Sequence, residues 1–169
     1  ASMSYASGPD MTKLEYATCL SAALGYLMLR QQDAVGLVTF DDRIRAFVPP
    51  RSTRGQLNNL LALLAQPTAG AATALAPAIH NVARRIRKRS LFILFSDLLD
   101  DAEATLEALS HLAFGKHDII VFQVLDPAES RFNLDGPLEL TDPETGDRIS
   151  ADADAVRADY LARMAALQQ

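Results

Sequence analysis

Three short stretches carry side-chain oxygens where the chain leaves an expected strand. Ser2 and Ser4 lie in the opening segment ASMSYASGPD, Thr73 closes the run QPTAGAAT, and Asp97 ends Ser90-Leu91-Phe92-Ile93-Leu94-Phe95-Ser96-Asp97. Hydroxyls and a carboxylate with no Cys or His among them suit a hard cation such as Mg²⁺. Asp97 leads this set, because ligands of open α/β sheets bind outside the carboxyl ends of the strands. Thr73 is also suited to capping the helix that follows. Asp41 and Asp42 are accounted for by turn chemistry. His80, His111 and His117 lack a spacing such as HExxH, so the sequence offers no zinc site. Cys19 lies in an apolar helical stretch and reads as a small core residue rather than a nucleophile.

The elements that must position these residues follow from apolar patterning. The run ending at Asp97 is rich in aromatic and branched residues and short for a helix. It reads as a strand buried on both faces, at the centre of a parallel sheet. Thr12-Lys13-Leu14-Glu15 matches a capping box that opens a helix to about Gln32. Residues 33–40 form a second buried-type strand, and 44–48 pair with it as an antiparallel edge strand ended by Pro49 and Pro50. A helix over 53–65 turns Leu57, Leu60, Leu61 and Leu64 inward. Another runs over 74–88 with Pro77 in its first turn. A helix over 101–114 is capped by Asp100 or Asp101 and closed by Gly115. Residues 118–126 are a third parallel strand, 128–136 a loop, 138–140 and 147–149 a small hairpin. A closing helix over 152–168 carries Val156, Tyr160, Leu161, Met164 and Leu167 on one face.

The chain has 169 residues and a net charge of −5. That length suits one domain, 1–169, with a sizeable core. The charge gives no reason to expect nucleic acid; the basic run 84–89 suits a helix C-terminus. A single cysteine excludes an internal disulfide and permits a reducing, cytoplasmic setting. No stretch reads as transmembrane. In a βαβ pattern a strand should precede the opening loop and none does, so the chain is expected to be a fragment cut just after a strand.

Together, Ala1–Tyr5, Lys13–Ala17, Asp33–Asp42, Phe47–Arg51, Thr73–Leu75, Ser96–Asp101 and Val124–Pro127 resemble the von Willebrand factor A-type (vWA) domains, specifically the vWA-like region of the bacterial DUF58 proteins. The resemblance implies a three-layer, Rossmann-like α/β fold with a mostly parallel sheet and one antiparallel edge strand, here lacking the first, central strand. It also implies a metal-ion-dependent adhesion site: an Asp-x-Ser-x-Ser loop, a Thr and an Asp. Ser2 matches the last Ser, with Ser4 in the same loop; Thr73 matches the Thr and Asp97 the Asp. The loop's Asp and first Ser would precede Ala1, so this chain is expected to hold Mg²⁺ or another divalent ion weakly or not at all.

The implied function is a non-enzymatic protein–protein interaction module, with a MoxR-type AAA+ ATPase as the partner the resemblance suggests. Without the central strand, the two flanking strands must pair directly or take a strand from another copy, so a homodimer or strand swap is expected. The alternative is a Mg²⁺-dependent phosphatase or phospho-acceptor domain using Asp97. Against it, the chain lacks a Walker A loop, a GxSxG elbow and a DxDxT motif.

Overall fold

A computed structural model describes residues 2–8, 11–66, 74–141 and 148–167. Helix α1 (Lys13–Arg30) opens on the expected capping box: Thr12 Oγ1 accepts from the Glu15 amide at 3.1 Å, and Glu15 Oε2 accepts from the Thr12 amide at 2.7 Å. Strands β1 (Val35–Phe40) and β2 (Ile44–Arg51) then form an antiparallel pair around the Asp41-Asp42-Arg43 turn. β2 runs on through Pro49 and Pro50 rather than stopping at them, since an edge strand does not need their missing N–H groups. The register shifts beside Gly36, where a Cβ would lie 2.8 Å from the Val48 carbonyl oxygen.

Helix α2 (Gln56–Leu64) turns Gln56, Leu60 and Leu63 inward, and Leu61 is exposed. The inward set differs from expectation because Gln56 fixes the rotation of the helix. Its amide donates to the carbonyls of Val35 at 2.6 Å and Pro49 at 3.0 Å. Helix α3 (Leu75–Arg85) has Ala74 at its N-cap position; Thr73, the expected cap, lies outside the described residues. Strands β3 (Leu91–Ser96) and β4 (Asp118–Gln123) pair in parallel, joined through α4 (Ala102–Phe114), which Asp101 caps. A short helix α5 (Pro127–Arg131) replaces the expected loop, because Asp126 and Glu129 build a second capping box around Pro127. The hairpin β5 (Pro137–Thr141) and β6 (Arg148–Asp152) leads into α6 (Ala153–Leu167).

Among the described residues the fold is mixed α/β, with one parallel and two antiparallel strand pairs forming three two-stranded sheets. The continuous, mostly parallel sheet expected from the sequence is not formed among the described residues. β1 and β3 do not pair directly; the strand that the resemblance places between them is filled by none of the described residues. Their carboxyl ends nevertheless meet at the start of α3. The Ala74 amide donates to the Asp41 carbonyl at 3.1 Å, and the Leu75 amide donates to Asp100 Oδ2 at 2.8 Å.

Leu75 and Ile79 of α3 and Ala108 and Leu112 of α4 form the main core cluster, packed on Phe40, Phe92, Leu94 and Ile119. The opposite face of β3–β4 is open: Leu91, Ile120 and Phe122 are 46%, 43% and 37% exposed. β3 is therefore covered on one face rather than two. α1 shows the same deficit. Ala17 and Gly25 are buried, Gly25 against Leu60 and Val35, whereas Tyr16, Tyr26, Leu27 and Cys19 are exposed. Cys19 is thus not a core residue, because α1 has packing neighbours along one side only. Among the described residues no helix is long and apolar enough to cross a membrane.

Candidate functional site

Asp97 follows β3 directly, and the backbone turns sharply there. Leu98 sits at φ 58°, left-handed backbone that a branched residue adopts only when its surroundings hold it. Two local bonds hold it: the Leu98 amide donates to Ser96 Oγ at 3.1 Å, and the Leu99 amide, at a longer 3.4 Å, to Asp97 Oδ1. The turn leaves Asp97 5% exposed, beneath the loop.

The partner of Asp97 is a lysine. Lys13, first residue of α1, is 3% exposed, and its Nζ lies 3.0 Å from Asp97 Oδ2 and 2.7 Å from Glu129 Oε1. A helix N-terminus disfavours a cation, and burial disfavours one more strongly. The two carboxylates are what make the position tenable. Glu129 is aimed by the α5 capping box: its Oε2 accepts from the Asp126 amide at 2.9 Å, while Asp126 Oδ1 accepts from the Ala128 amide at 2.7 Å. Asp126 Oδ2 accepts from the Ser7 amide at 3.0 Å, and the Lys13 amide donates to the Tyr5 carbonyl at 3.4 Å. The opening segment, α1, the loop after β3 and α5 thus converge on one cluster of a single ammonium and three carboxylates.

The electrostatics follow from that convergence. Burial alone would raise the pKa of Asp126, but the Ser7 and Ala128 hydrogen bonds and the Lys13 charge hold it below the usual carboxylate value. Tyr5 and Tyr160 are both pushed up, by burial first and then by nearby carboxylates, Glu129 among them. The turn after β1 is a separate, smaller case. Burial would raise Asp41, but hydrogen bonding with Asp42, the Arg45 guanidinium and the Arg43 amide brings its pKa down to about 2. Asp41 and Asp42 are turn residues, as their sequence context implied.

Of the four expected ligands, Asp97 occupies the centre of this cluster. Ser2 and Ser4 lie in a single 3-10 turn beside α1, and their hydroxyls make no hydrogen bond to Asp97 among the described residues; Thr73 lies outside those residues. The donors as arranged do not fit a divalent ion. Asp97 Oδ2 already holds the Lys13 ammonium and Oδ1 accepts from an amide, so an ion bound there would have to displace the amide and bear repulsion from the ammonium. Among the described residues no group of three or more His, Cys, Asp or Glu side chains is placed to hold a metal. Sequence reasoning missed Lys13, Asp126 and Glu129. The Asp126-Pro127-x-Glu129 pattern does signal a helix start, and so could have found the last two.

The comparisons with known proteins point to relatives rather than to an activity. A family model described as "Protein of unknown function DUF58" matches residues 1–169. The uncharacterized protein Mb1516 of Mycobacterium bovis and the uncharacterized proteins MT1527 and Rv1480 of Mycobacterium tuberculosis are each 27% identical to the chain over 157 residues. Each match covers 91% of this chain and 49% of the relative, so the chain spans about half the length of these curated relatives. No solved structure matches it.

Proposed function

The chain belongs to the DUF58 family, and on that premise we propose that it is a non-enzymatic protein–protein interaction module of vWA type. It docks its partner at the carboxyl end of the strands. The observation that carries this reading is a buried, internally paired ionic cluster bordered by exposed apolar side chains. Tyr5, Met11 and Leu99 are 43%, 51% and 50% exposed, and all three lie within two residues of a group bonded in the cluster or its capping boxes. Exposed apolar side chains grouped together mark interaction sites, and tyrosine is enriched among binding hot spots. In this reading Lys13 answers the charges of Asp97 and Glu129 from within and presents none to the partner, so docking rests on the surrounding apolar side chains and needs no metal. The partner suggested by the family resemblance is a MoxR-type AAA+ ATPase, met in the cytoplasm.

The test is a binding titration of the chain against such an ATPase from the same genome, with Leu99→Asp as the disrupting variant. Binding that resists EDTA and weakens at least about tenfold, about 1.4 kcal/mol, in Leu99→Asp supports the reading. Binding that EDTA abolishes, or that Leu99→Asp leaves unchanged, contradicts it.

One observation favours the phospho-acceptor reading: an ammonium 3.0 Å from Asp97 is what an acyl phosphate would need beside it. Burial opposes it, since both side chains are shielded from a phosphodonor. Incubation with acetyl phosphate separates the two readings: a mass increase of one phosphoryl group, lost in Asp97→Asn, would replace the docking proposal.

A further inference from the structure

His80 on α3 and His111 on α4 are 31 residues apart in the chain, and the helix pair brings them face to face. Their Nδ1 atoms lie 3.3 Å apart, with ring centroids at 5.4 Å and planes inclined by 54°. This pair belongs to neither the Asp97 cluster nor the docking surface proposed above. The scaffold beneath it is firm: Ile79 and Leu112, the sequence neighbours of the two histidines, are both buried in the main core cluster. His111 is exposed and His80 half-buried, so one side of the pair faces solvent.

The separation has a chemical meaning. It is long for a hydrogen bond, and without an ion the two imidazoles share one whose donor and acceptor depend on the tautomer. It agrees with the spacing of two ligands on one tetrahedral ion: two Zn–N bonds of about 2.0–2.1 Å at the tetrahedral angle hold their nitrogens about 3.3–3.4 Å apart. We propose that His80 and His111 form a two-histidine clamp for a borderline transition-metal cation of the Zn²⁺, Ni²⁺ or Cu²⁺ class. Water fills the remaining coordination positions. Imidazole selects these ions over Mg²⁺ or Ca²⁺, which require oxygen ligands. Bridging α3 and α4 with an ion also pins together the two helices that form the main core cluster, so binding stabilises the folded chain by mass action. The linear spacing that argued against zinc in the sequence is irrelevant here, because the ligands come from different helices.

The test is calorimetric titration of Zn²⁺ into the purified chain near neutral pH. A Cys19→Ser background removes the exposed thiol, an independent zinc ligand. The expected result is one saturable site per chain, no response to Mg²⁺, and a higher melting temperature with Zn²⁺. His80→Ala and His111→Ala should each weaken binding at least about tenfold, while His117→Ala leaves it unchanged. Circular dichroism of each variant checks that the fold persists; if either alanine variant unfolds, the corresponding His→Gln variant takes its place with the same expected loss. Absence of a saturable site, equal loss in His117→Ala, or binding unchanged without His80 or His111 would overturn the proposal.

Discussion

The Lys13–Asp97–Glu129 cluster and the His80–His111 pair are two solutions to one problem, that of holding titratable groups together across long chain separations. In the first, a capped helix, a strained turn at Leu98 and a second capped helix enclose the groups almost completely. In the second, two packed helices leave His111 exposed and His80 half-buried. Enclosure makes the first cluster a structural base: its charges are answered from within, and what it offers a partner is the surface around it. Exposure makes the second a ligand site whose loss costs the fold little. The same chemistry of charge and nitrogen donors thus has opposite consequences, decided by solvent access.

The contrast can be broken most forcefully at Lys13. Lys13→Ala leaves Asp97 buried without its countercharge, and should reduce the unfolding free energy by about 3–5 kcal/mol in a urea titration. A loss below about 1 kcal/mol would mean that water reaches the cluster and that the enclosure argument fails. Asp97→Asn should cost less, about 1–3 kcal/mol, because Lys13 retains Glu129. If the two variants cost the same, Glu129 is not sharing the ammonium.

Acid should act next. Asp126 and Asp41 both have folded pKa values below the ordinary aspartate value, Asp41 at about 2. Groups depressed in this way contribute stability that is fully present above the unfolded value and is lost as pH falls through the folded one. The urea midpoint should therefore hold steady down to about pH 4 and decline towards pH 2, with a shallower decline in Asp126→Asn. Parallel acid limbs in the parent and the variant would remove Asp126 from the account. The smallest effect on stability belongs to the histidine pair: His80→Ala should change the unfolding free energy by no more than about 0.5 kcal/mol in metal-free buffer. A larger loss would show that the imidazole contact itself holds α3 to α4.

How far the sequence foretold all this depends on how local the deciding interactions are. The α1 capping box, the Asp101 cap, the β1–β2 hairpin and the β5–β6 hairpin rest on neighbours within a few residues, and those residues are readable in order. The rotation of α2 was not readable, because it depends on Gln56 reaching carbonyls on two strands. The burial of Cys19 and of both faces of β3 was overestimated for a related reason. Apolar composition reports what an element would bury given neighbours on every side, and α1 and β3 have them on one side only. The position of Asp97 at a strand end was legible. Lys13 was not, since a lysine in a first helical turn ordinarily reaches into solvent. The histidine pair was invisible for the same reason as the Lys13 cluster: only packing brings its members together.

The proposal of a docking surface at the carboxyl end of the strands is tested most directly by amide hydrogen exchange of the chain alone and with a MoxR-type ATPase added, in EDTA. Slower exchange over residues 2–8 and 97–101, with little change along β4 at Ile120 and Phe122, is the expected result. Protection confined to the bare β3–β4 face, or no protection until a divalent ion is restored, would contradict it.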